Sequence, residues 1–333
     1  MGIKVEKPGL LTTVQDLGRY GFQKQGMVVS GAMDSFALRL ANLLAGNPEN
    51  AAALEITLSG PSLRFQEDSL IALAGANLSP KLNGKPIPNH RPVFVRKGTL
   101  LEFGAPVQGC RAYLAVAGGF SVPQVMGSAS TYARAGVGGY AGRALQKDDV
   151  LPIKEYASEQ LRYWQEKCPA AEPFLASTWS ISPNVLPTYS ENPTLRVLLG
   201  PEYALFSENA LKTFWSAEFK VSAAADRMGY RVDGPALDLK EPVELLSSAV
   251  TFGTVQVTPS GNPIILMAEH QTTGGYPRIG QIISADFPLL AQVRPGSRLR
   301  FHQVSLAEAH QLYYRQEQTL EHLKRVLHLQ SKR

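Results

Sequence analysis

The sequence predicts a mainly β protein with two domains, and three observations lead to this prediction. The chain has 333 residues, which is more than a single hydrophobic core ordinarily organises. Hydrophobic residues make up 44% and charged residues 18%, so the chain can bury a core and is not of the disordered type. The 29 glycines and 23 prolines separate short apolar runs, a pattern typical of many short strands joined by turns.

The first predicted β domain covers residues 1–153. Its strand-like runs are Ala53–Leu58, Ser69–Leu73, Pro92–Val95, Thr99–Phe103 and Arg111–Val116. One helix is predicted in this domain, over Ser35–Ala45, because Asp34 can cap its N-terminus and Phe36 and Leu40 share its apolar face. Gly46 then ends the helix.

A connector, a second β domain and a terminal helix follow. Residues 154–192 form the predicted connector, because a polar stretch with one short helix is followed there by repeated prolines. The second β domain covers residues 193–303 and begins with the strand-like run Leu195–Leu199. Residues 304–333 are predicted to form a C-terminal helix, over Leu306–Leu329, with a basic tail.

Composition excludes several classes of function. The net charge of +5 comes without a basic stripe interleaved with aromatic residues, so no nucleic-acid partner is expected. The N-terminus lacks a secretory apolar region and no run is long enough to span a membrane, so a cytoplasmic chain without membrane contact is expected. Cys110 and Cys168 are too isolated for a CxxC pair, and no spaced Cys/His set indicates a metal site.

The first polar segment that can carry chemistry is residues 8–19, where Asp16 and Arg19 lie between glycines. Arg19 could present its guanidinium to a carboxylate or phosphate, or it could close a turn by pairing with Asp16. Next, Ser30 and Asp34 precede the predicted first helix, where backbone N–H groups can bind an anion. The alternative is that both residues only cap the helix.

Two further loops are candidate binding segments. Arg134 begins a glycine-rich stretch that could let a ligand approach the backbone, although such loops are also common between strands. In the second domain, His270 could act as an acid or base, or it could be a structural residue. Polar binding residues are predicted next to His270, namely Gln271, Thr272, Thr273, Gly274 and Gly275.

Four of the other five histidines carry less information, because His302, His310, His322 and His328 lie at or in the predicted terminal helix and are expected on the surface. Neither a GxxxxGK[ST] phosphate loop nor a GxSxG elbow occurs in the sequence. No segment offers a lysine for biotin attachment. Chemistry that needs a nucleotide must therefore use an unfamiliar site or a partner.

Several runs of the sequence together resemble the allophanate hydrolase subunit 2 family, which includes the carboxyltransferase-like domains of urea carboxylase. The runs are PGLLTTVQDLGRYGFQKQG, SGAMDSFALRLANLLAGNPENAAALEITLSGP, RAGVGGYAGRAL, DRMGYRVDGPAL and HQTTGGYPRIGQIISADFPLLAQVRPG. The resemblance implies two tandem cyclophilin-like β-barrel domains with a few short helices.

For a free-standing chain, the resemblance also implies an ATP-dependent 5-oxoprolinase, which converts 5-oxo-L-proline to L-glutamate. It implies a tight complex with the smaller B component of that enzyme and cooperation with its A component. Arg19, Arg134 and Arg227 would then bind phosphates or the substrate carboxylate, with Arg19 and Arg227 as catalytic cations. Mg²⁺ would come with ATP, and its carboxylate ligand could be Asp16, Asp34 or Asp226.

Two alternatives stay open at this point. The chain could be the carboxyltransferase component of a biotin-dependent system whose carrier is a separate chain. It could instead be a regulator that sequesters an inhibitor of a histidine kinase without catalysing a reaction.

Overall fold

The structure, a computed structural model, describes residues 2–156 and 159–330, and it consists of two compact units. Within the described residues, unit 1 contains residues 2–19, 34–156, 159–187 and 318–330, and unit 2 contains residues 20–33 and 188–317. The basic ends of the predicted tail, Lys332 and Arg333, lie outside the described residues. The predicted domain boundaries stay predictions.

Unit 1 contains twelve strands within the described residues. They are β1 Gly2–Lys7, β2 Leu11–Gln15, β3 Ala53–Thr57, β4 Ser62–Phe65, β5 Ser69–Asn77, β6 Lys81–Leu82, β7 Lys85–Pro86, β8 Pro92–Val95, β9 Leu100–Glu102, β10 Gln108–Val116, β11 Val150–Pro152 and β12 Phe174–Ala176. One six-stranded sheet has the order β11-β1-β4-β9-β6-β7 and the other β12-β8-β5-β10-β3-β2. Apolar side chains of both sheets meet in one core that includes Val5, Leu63, Leu73 and Leu114.

Two helices also belong to unit 1. Helix α1 covers Ser35–Leu44, and the carboxylate of Asp34 accepts a hydrogen bond from the backbone N–H of Ala37 at 2.9 Å, as expected of an N-cap. The predicted helix and its cap are therefore confirmed. Helix α2 covers Glu159–Lys167, inside the predicted connector, of which residues 157 and 158 lie outside the described part.

Unit 2 is built on a closed barrel. Its elements are β13 Thr194–Leu199, α3 Glu208–Ser216, β14 Phe219–Val221, β15 Gly229–Asp233, β16 Ser248–Ala249, β17 Thr254–Val257, β18 Pro263–Leu266, β19 Thr273–Gly274, β20 Arg278–Ile282, α4 Phe287–Ala291 and β21 Arg298–Gln303. The barrel order is β13-β20-β17-β18-β15-β14-β21, closed by parallel pairing of β21 with β13. Closure leaves these strands without exposed edges. Phe206, Phe214 and Phe301 pack inside the second core.

The predicted terminal helix is confirmed as α5, over Leu306–Gln330. Leu320 and Leu323 are buried on its apolar stripe. His302 lies on β21, just before this helix, and its side chain is exposed as expected. Helix α3 was not predicted, although Ser207 caps it through the N–H of Ala210.

The mainly β fold predicted from the sequence is confirmed, with a barrel, further sheets and a C-terminal helix. All five strand-like runs of the first domain lie on strands β3, β5, β8, β9 and β10. Cys110 and Cys168, both within the described residues, are buried and form no disulfide.

Candidate functional site

The predicted site residues fall into two sets, one in each unit. Asp16, Arg19, Asp34 and Arg134 belong to unit 1. The members that belong to unit 2 are Ser30, Arg227, His270, Gln271, Thr272, Thr273, Gly274 and Gly275.

Asp16 directly follows β2, and its carboxylate organises a loop more than a hundred residues further along the chain. Its Oδ1 accepts hydrogen bonds from the N–H of Gly18 at 2.8 Å and from the hydroxyls of Ser128 and Ser130. Its Oδ2 accepts from the N–H of Ala129 at 2.6 Å. With four donors on one buried carboxylate, Asp16 joins two distant segments of unit 1.

Arg19 is fully buried and holds the same loop through backbone carbonyls. Its Nε donates to the carbonyl of Val125 at 3.0 Å and its Nη2 to that of Ser130 at 2.7 Å. Burial lowers the pKa of the Arg19 guanidinium, and the nearby Asp16 opposes this shift. Within the described residues Asp16 and Arg19 form no direct ion pair, so the turn is closed through the loop at residues 125–130 instead. That Arg19 binds an anion stays a prediction.

Asp34 caps α1 and is also part of a buried network of hydrogen bonds. Its backbone N–H donates to the hydroxyl of Tyr113 at 2.8 Å, and that hydroxyl donates to Oε2 of Glu55 at 2.7 Å. Burial raises the pKa of Tyr113, and the charges of Glu55 and Asp34 add to this effect. Glu55, a buried carboxylate on β3, thus has the hydrogen-bond partner that a buried charge requires.

Arg134 has a different environment, since it is exposed in a single 3-10 turn at Ala133–Ala135. The glycines after it close this loop tightly. A Cβ atom added to Gly138 would lie 2.1 Å from the carbonyl oxygen of Ser130, and one added to Gly139 would lie 1.9 Å from Oγ1 of Thr131. The glycine-rich stretch is therefore needed for packing, and ligand binding by Arg134 stays a prediction.

In unit 2 the centre of the candidate site is a buried ion pair. Nε of Arg227 donates to Oε1 of Glu269 at 2.6 Å, and its Nη2 donates to the carbonyl of Gly31 at 2.6 Å. A backbone hydrogen bond also joins these two residues, since the N–H of Glu269 donates to the carbonyl of Arg227 at 2.7 Å. Arg227 therefore fixes a loop in which Ser30 has a φ of 57° and Gly31 a φ of 86°.

His270 follows Glu269 directly and is buried. Burial lowers the pKa of its imidazole, and the hydrogen bond with the Gln271 carbonyl opposes this, so the neutral ring is favoured near pH 7. Nδ1 lies 2.5 Å from the carbonyl oxygen of Gln271. Because a carbonyl oxygen can only accept, Nδ1 carries the proton and Nε2 has the lone pair. This tautomer suits a proton acceptor.

The segment after His270 is a partly exposed polar loop. Gln271 and Thr273 are exposed, and Thr272, Gly274 and Gly275 are half-buried. Thr273 and Gly274 form β19, which pairs with β16. A Cβ atom on Gly274 would lie 2.6 Å from Nε2 of Gln256, so only glycine leaves room for that buried amide. The predicted binding loop is thus fixed by the pairing of β19 with β16, and its Gln271 and Thr273 side chains are exposed to solvent.

Two residues that shape this site were not predicted from the sequence. Glu269, the partner of Arg227, stands directly before the histidine at the end of a strand, and a carboxylate buried there requires a cation. The position of Glu269 next to His270 is therefore the feature of the sequence that could have indicated this carboxylate. Gln256 lies under the loop because β17 pairs with β20, a relationship that cannot be seen in the sequence.

Metal-ligating side chains do not cluster in the described part of the chain. Among residues 2–156 and 159–330, no group of three or more His, Cys, Asp or Glu side chains could hold a metal ion. Asp16, Asp34 and Asp226 each accept backbone N–H hydrogen bonds. In the same part of the chain, no helix has the length and apolarity that a membrane crossing demands.

Comparison with known proteins identifies relatives over most of the chain. The family model of the carboxyltransferase domain, subdomain A and B, matches residues 25–303. A Haemophilus influenzae protein named as the C subunit of 5-oxoprolinase is 41% identical over 315 residues, which cover 95% of each chain. A protein of the same name from Escherichia coli is 40% identical and covers 98% of this chain and 99% of its own.

A solved structure has the same fold as this chain. The crystal structure of the Kluyveromyces lactis urea amidolyase superposes with a TM-score of 0.87 at 32% identity, over 97% of this chain. The match covers 20% of that much longer protein, so this chain is similar to one part of a larger enzyme.

Proposed function

The chain belongs to the carboxyltransferase domain, subdomain A and B, family, and on that premise we propose that it is a subunit of an ATP-dependent 5-oxoprolinase. One observation carries the proposal. Two proteins named as the C subunit of 5-oxoprolinase are 41% and 40% identical to this chain over nearly their full lengths. The urea amidolyase, in contrast, contains the same region within a much longer polypeptide.

The proposed reaction opens the lactam ring of 5-oxo-L-proline to give L-glutamate, with hydrolysis of ATP. A lactam carbonyl is a poor electrophile, so we propose that its oxygen first attacks the γ-phosphorus of ATP and ADP leaves. One water then adds at the activated carbon as the carbon–nitrogen bond breaks, and a second water releases phosphate. Positioning and charge stabilisation are the main requirements of the phosphoryl transfer.

His270 is the proposed proton acceptor in the activation step. When the lactam oxygen gains the phosphoryl group, the ring N–H becomes acidic, and a neutral base must take its proton. The hydrogen bond of Nδ1 to the Gln271 carbonyl leaves Nε2 of His270 with a lone pair for this task. The lowered pKa of the buried imidazole keeps that lone pair available near neutral pH.

Arg227 is proposed to position the site and not to touch the substrate. Its guanidinium already binds Glu269 and the Gly31 carbonyl. Substrate contacts are proposed for the open part of the neighbouring loop, where the hydroxyl of Thr273 and the side-chain amide of Gln271 are exposed. Such neutral donors can stabilise the negative charge on the phosphoryl oxygens and the charge that develops on the leaving oxygen of ADP.

ATP and its Mg²⁺ are proposed as the co-substrate, and they enter without a preformed metal cage in the described part of this chain. No three potential ligand side chains gather anywhere in those residues. Mg²⁺ ordinarily keeps several waters and binds phosphates with one or two carboxylates, so it can arrive with the nucleotide. A partner is proposed to complete the nucleotide site. The proposed partners are the B component of 5-oxoprolinase, in a tight complex, and its A component, in the cytoplasm.

Reconstitution of this chain with the A and B components tests the proposal. ADP release should depend on added 5-oxo-L-proline and should be stoichiometric with glutamate formation. His270→Gln should lower kcat by about 10²–10⁴-fold, as expected for the loss of a general base. His322→Gln is the matched control, because His322 is exposed on α5. ADP release that needs no 5-oxoproline, or that His270→Gln leaves unchanged, would contradict the proposal.

A carboxyltransferase role is the second candidate, favoured by the TM-score of 0.87 with the urea amidolyase. In that case activity would need bicarbonate and a separate biotin carrier in place of 5-oxoproline. The same reconstituted mixture, supplied with each set of substrates in turn, separates the two functions.

A further inference from the structure

Residues 241–247 of unit 2 form a surface segment, which we call the strap, beside the candidate binding loop. A Cβ atom added to Gly275 would lie 3.3 Å from the carbonyl oxygen of Leu245 and 3.4 Å from Oγ of Ser247. The strap then leads directly into β16, the strand that pairs with β19 of the binding loop. The strap is therefore a direct neighbour of the loop for which substrate contacts are proposed.

Both ends of the strap are fixed to the same turn of unit 2, which begins at Glu202 and ends at Leu205. Before the strap, the N–H of Lys240 donates to the carbonyl of Leu205 at 2.9 Å. After the strap, the carbonyl of Ala249 accepts from Nη1 of Arg278 at 3.1 Å, and Nε of Arg278 donates to Oε2 of Glu202 at 2.7 Å. The two ends are therefore held in place whatever the segment between them does.

The segment between these ends is not held by polar contacts. Within residues 2–156 and 159–330, residues 241–246 form neither a hydrogen bond nor an ion pair. Backbone without such contacts belongs to the parts of a protein that rearrange at the lowest free-energy cost. The strap can therefore change its conformation without breaking a polar contact of the described chain.

The strap also carries apolar side chains that have little to pack against in this conformation. Leu246 is 94% exposed and Val243 is 41% exposed. On the other side of Gly275, the ring of Tyr276 is 45% exposed. Single exposed apolar residues are common, but these three belong to the strap and to the loop beside it. Movement of the strap towards the loop would remove apolar surface from water.

Closure of this kind meets a requirement of the proposed reaction. Water competes with the lactam oxygen for the γ-phosphorus of ATP, and its attack would release ADP without activating the lactam. Closing segments that exclude water from a reacting group prevent such side reactions and strengthen the hydrogen bonds inside the site. An apolar side chain such as that of Leu246 is suited to this task, because it brings no group that binds water.

We propose that the strap is a lid. When substrate occupies the site at His270, residues 241–247 close over the loop that contains Thr273, and the side chain of Leu246 excludes water from it. A ligand can shift the strap only by binding better to the closed form, and the closed form offers an apolar cover that the open form lacks. The identity of the substrate, and the site that the lid covers, rest on the proposed function.

Thiol labelling of Leu246→Cys tests the closure in the full chain assembled with the A and B components. Cys110 and Cys168 are buried, so N-ethylmaleimide should modify the new thiol first, as read by mass spectrometry of its peptide. 5-Oxo-L-proline with a non-hydrolysable ATP analogue should slow this labelling at least tenfold. Leu199→Cys is the matched control, since Leu199 is 46% exposed at the end of β13, and its labelling rate should not change.

The order of additions separates a lid from a docking surface. Labelling at position 246 that slows when the partners are added, before any substrate, would show that a partner covers Leu246 and would contradict the lid. A labelling rate that neither partners nor substrates change would contradict it as well.

Leu246→Ser tests the exclusion of water. The ratio of ADP released to glutamate formed should rise at least threefold, because a serine hydroxyl binds water where leucine excludes it. Leu199→Ser should leave this ratio unchanged. A ratio that stays at the parent value in Leu246→Ser, with thermal unfolding showing a folded chain, would contradict the proposed role of Leu246.

The same measurements separate the lid from the proposed function. If 5-oxo-L-proline stimulates no ADP release, the proposed function is wrong, and protection of position 246 by bicarbonate and a biotin carrier in its place would still support the lid. Protection by neither set of substrates contradicts the lid. Oxoproline-dependent ADP release without protection of position 246 contradicts the lid and leaves the proposed function intact.

Discussion

Nε of Arg227 lies 2.6 Å from Oε1 of Glu269, and both side chains are more than nine-tenths buried. A buried ion pair recovers its desolvation cost only when further hydrogen bonds complete it. The Gly31 carbonyl supplies one of these, at 2.6 Å from Nη2 of Arg227. The pair therefore connects the segment after β18 with the loop of residues 26–33 inside unit 2.

Replacing Arg227 should destabilise unit 2 strongly. Arg227→Ala leaves Glu269 buried without its cation, which should cost about 3–5 kcal/mol of unfolding free energy. Urea unfolding followed by circular dichroism measures the change. Arg298→Ala removes an ion pair with Glu218 whose arginine side chain is 62% exposed, and it should lower the unfolding free energy far less than Arg227→Ala does. Equal losses of unfolding free energy in the two variants would show that the buried ion pair contributes no more to stability than the exposed one.

Asp16→Asn should lower stability by about 1–3 kcal/mol, because an NH₂ group would face a buried N–H or hydroxyl that now donates to the carboxylate. Thermal unfolding measures this loss. Asp148→Asn is the matched control, since its exposed carboxylate pairs with the exposed ammonium of Lys4 at 2.9 Å. It should leave the melting temperature of the parent chain unchanged. An unchanged melting temperature for Asp16→Asn would contradict its proposed bridging role.

Two glycines of the same loop allow the stability cost of a steric clash to be measured apart from the cost of a strained backbone. Gly138 and Gly136 have similar φ angles, 70° and 65°, but a Cβ atom on Gly136 would meet nothing within 4 Å. Gly136→Ala should therefore cost about 1–2 kcal/mol from the left-handed backbone alone. Gly138→Ala should cost about 1–3 kcal/mol more, because its Cβ would overlap the Ser130 carbonyl. Chemical denaturation of both variants measures the difference in unfolding free energy. Equal losses would show that the loop accommodates the Cβ atom at position 138 without a further loss of stability.

His90 should make stability depend on pH. Burial lowers the pKa of its imidazole to about 4, against an ordinary value of 6.5. The folded chain therefore binds fewer protons at His90 than the unfolded chain between these values. The contribution of His90 to stability is complete above pH 6.5 and is lost as the pH falls towards 4. His90→Gln should flatten the slope of unfolding free energy against pH in this window, whereas an unchanged slope would contradict the assignment.

The sequence by itself determined the class of fold and the local elements. Apolar runs between turn residues predicted strands of the first domain that the structure contains, and a capping Asp34 before Phe36 and Leu40 predicted α1 within one residue. Such features depend on neighbours within one turn or one strand, so the order of residues along the chain contains the information. The family resemblance, which needs only the motifs, was likewise available from the sequence.

Only the tertiary structure decided which polar groups meet. Asp16 bonds to Ser128 and Ser130, 112 and 114 residues away, and Arg227 bonds to Gly31, 196 residues away. Such pairings follow from strand order and loop paths, which local periodicity does not encode. The tertiary structure also brings the backbone of Lys154 to the Gly118-Gly119 turn, where its N–H donates to the carbonyl of Gly119 at 3.0 Å.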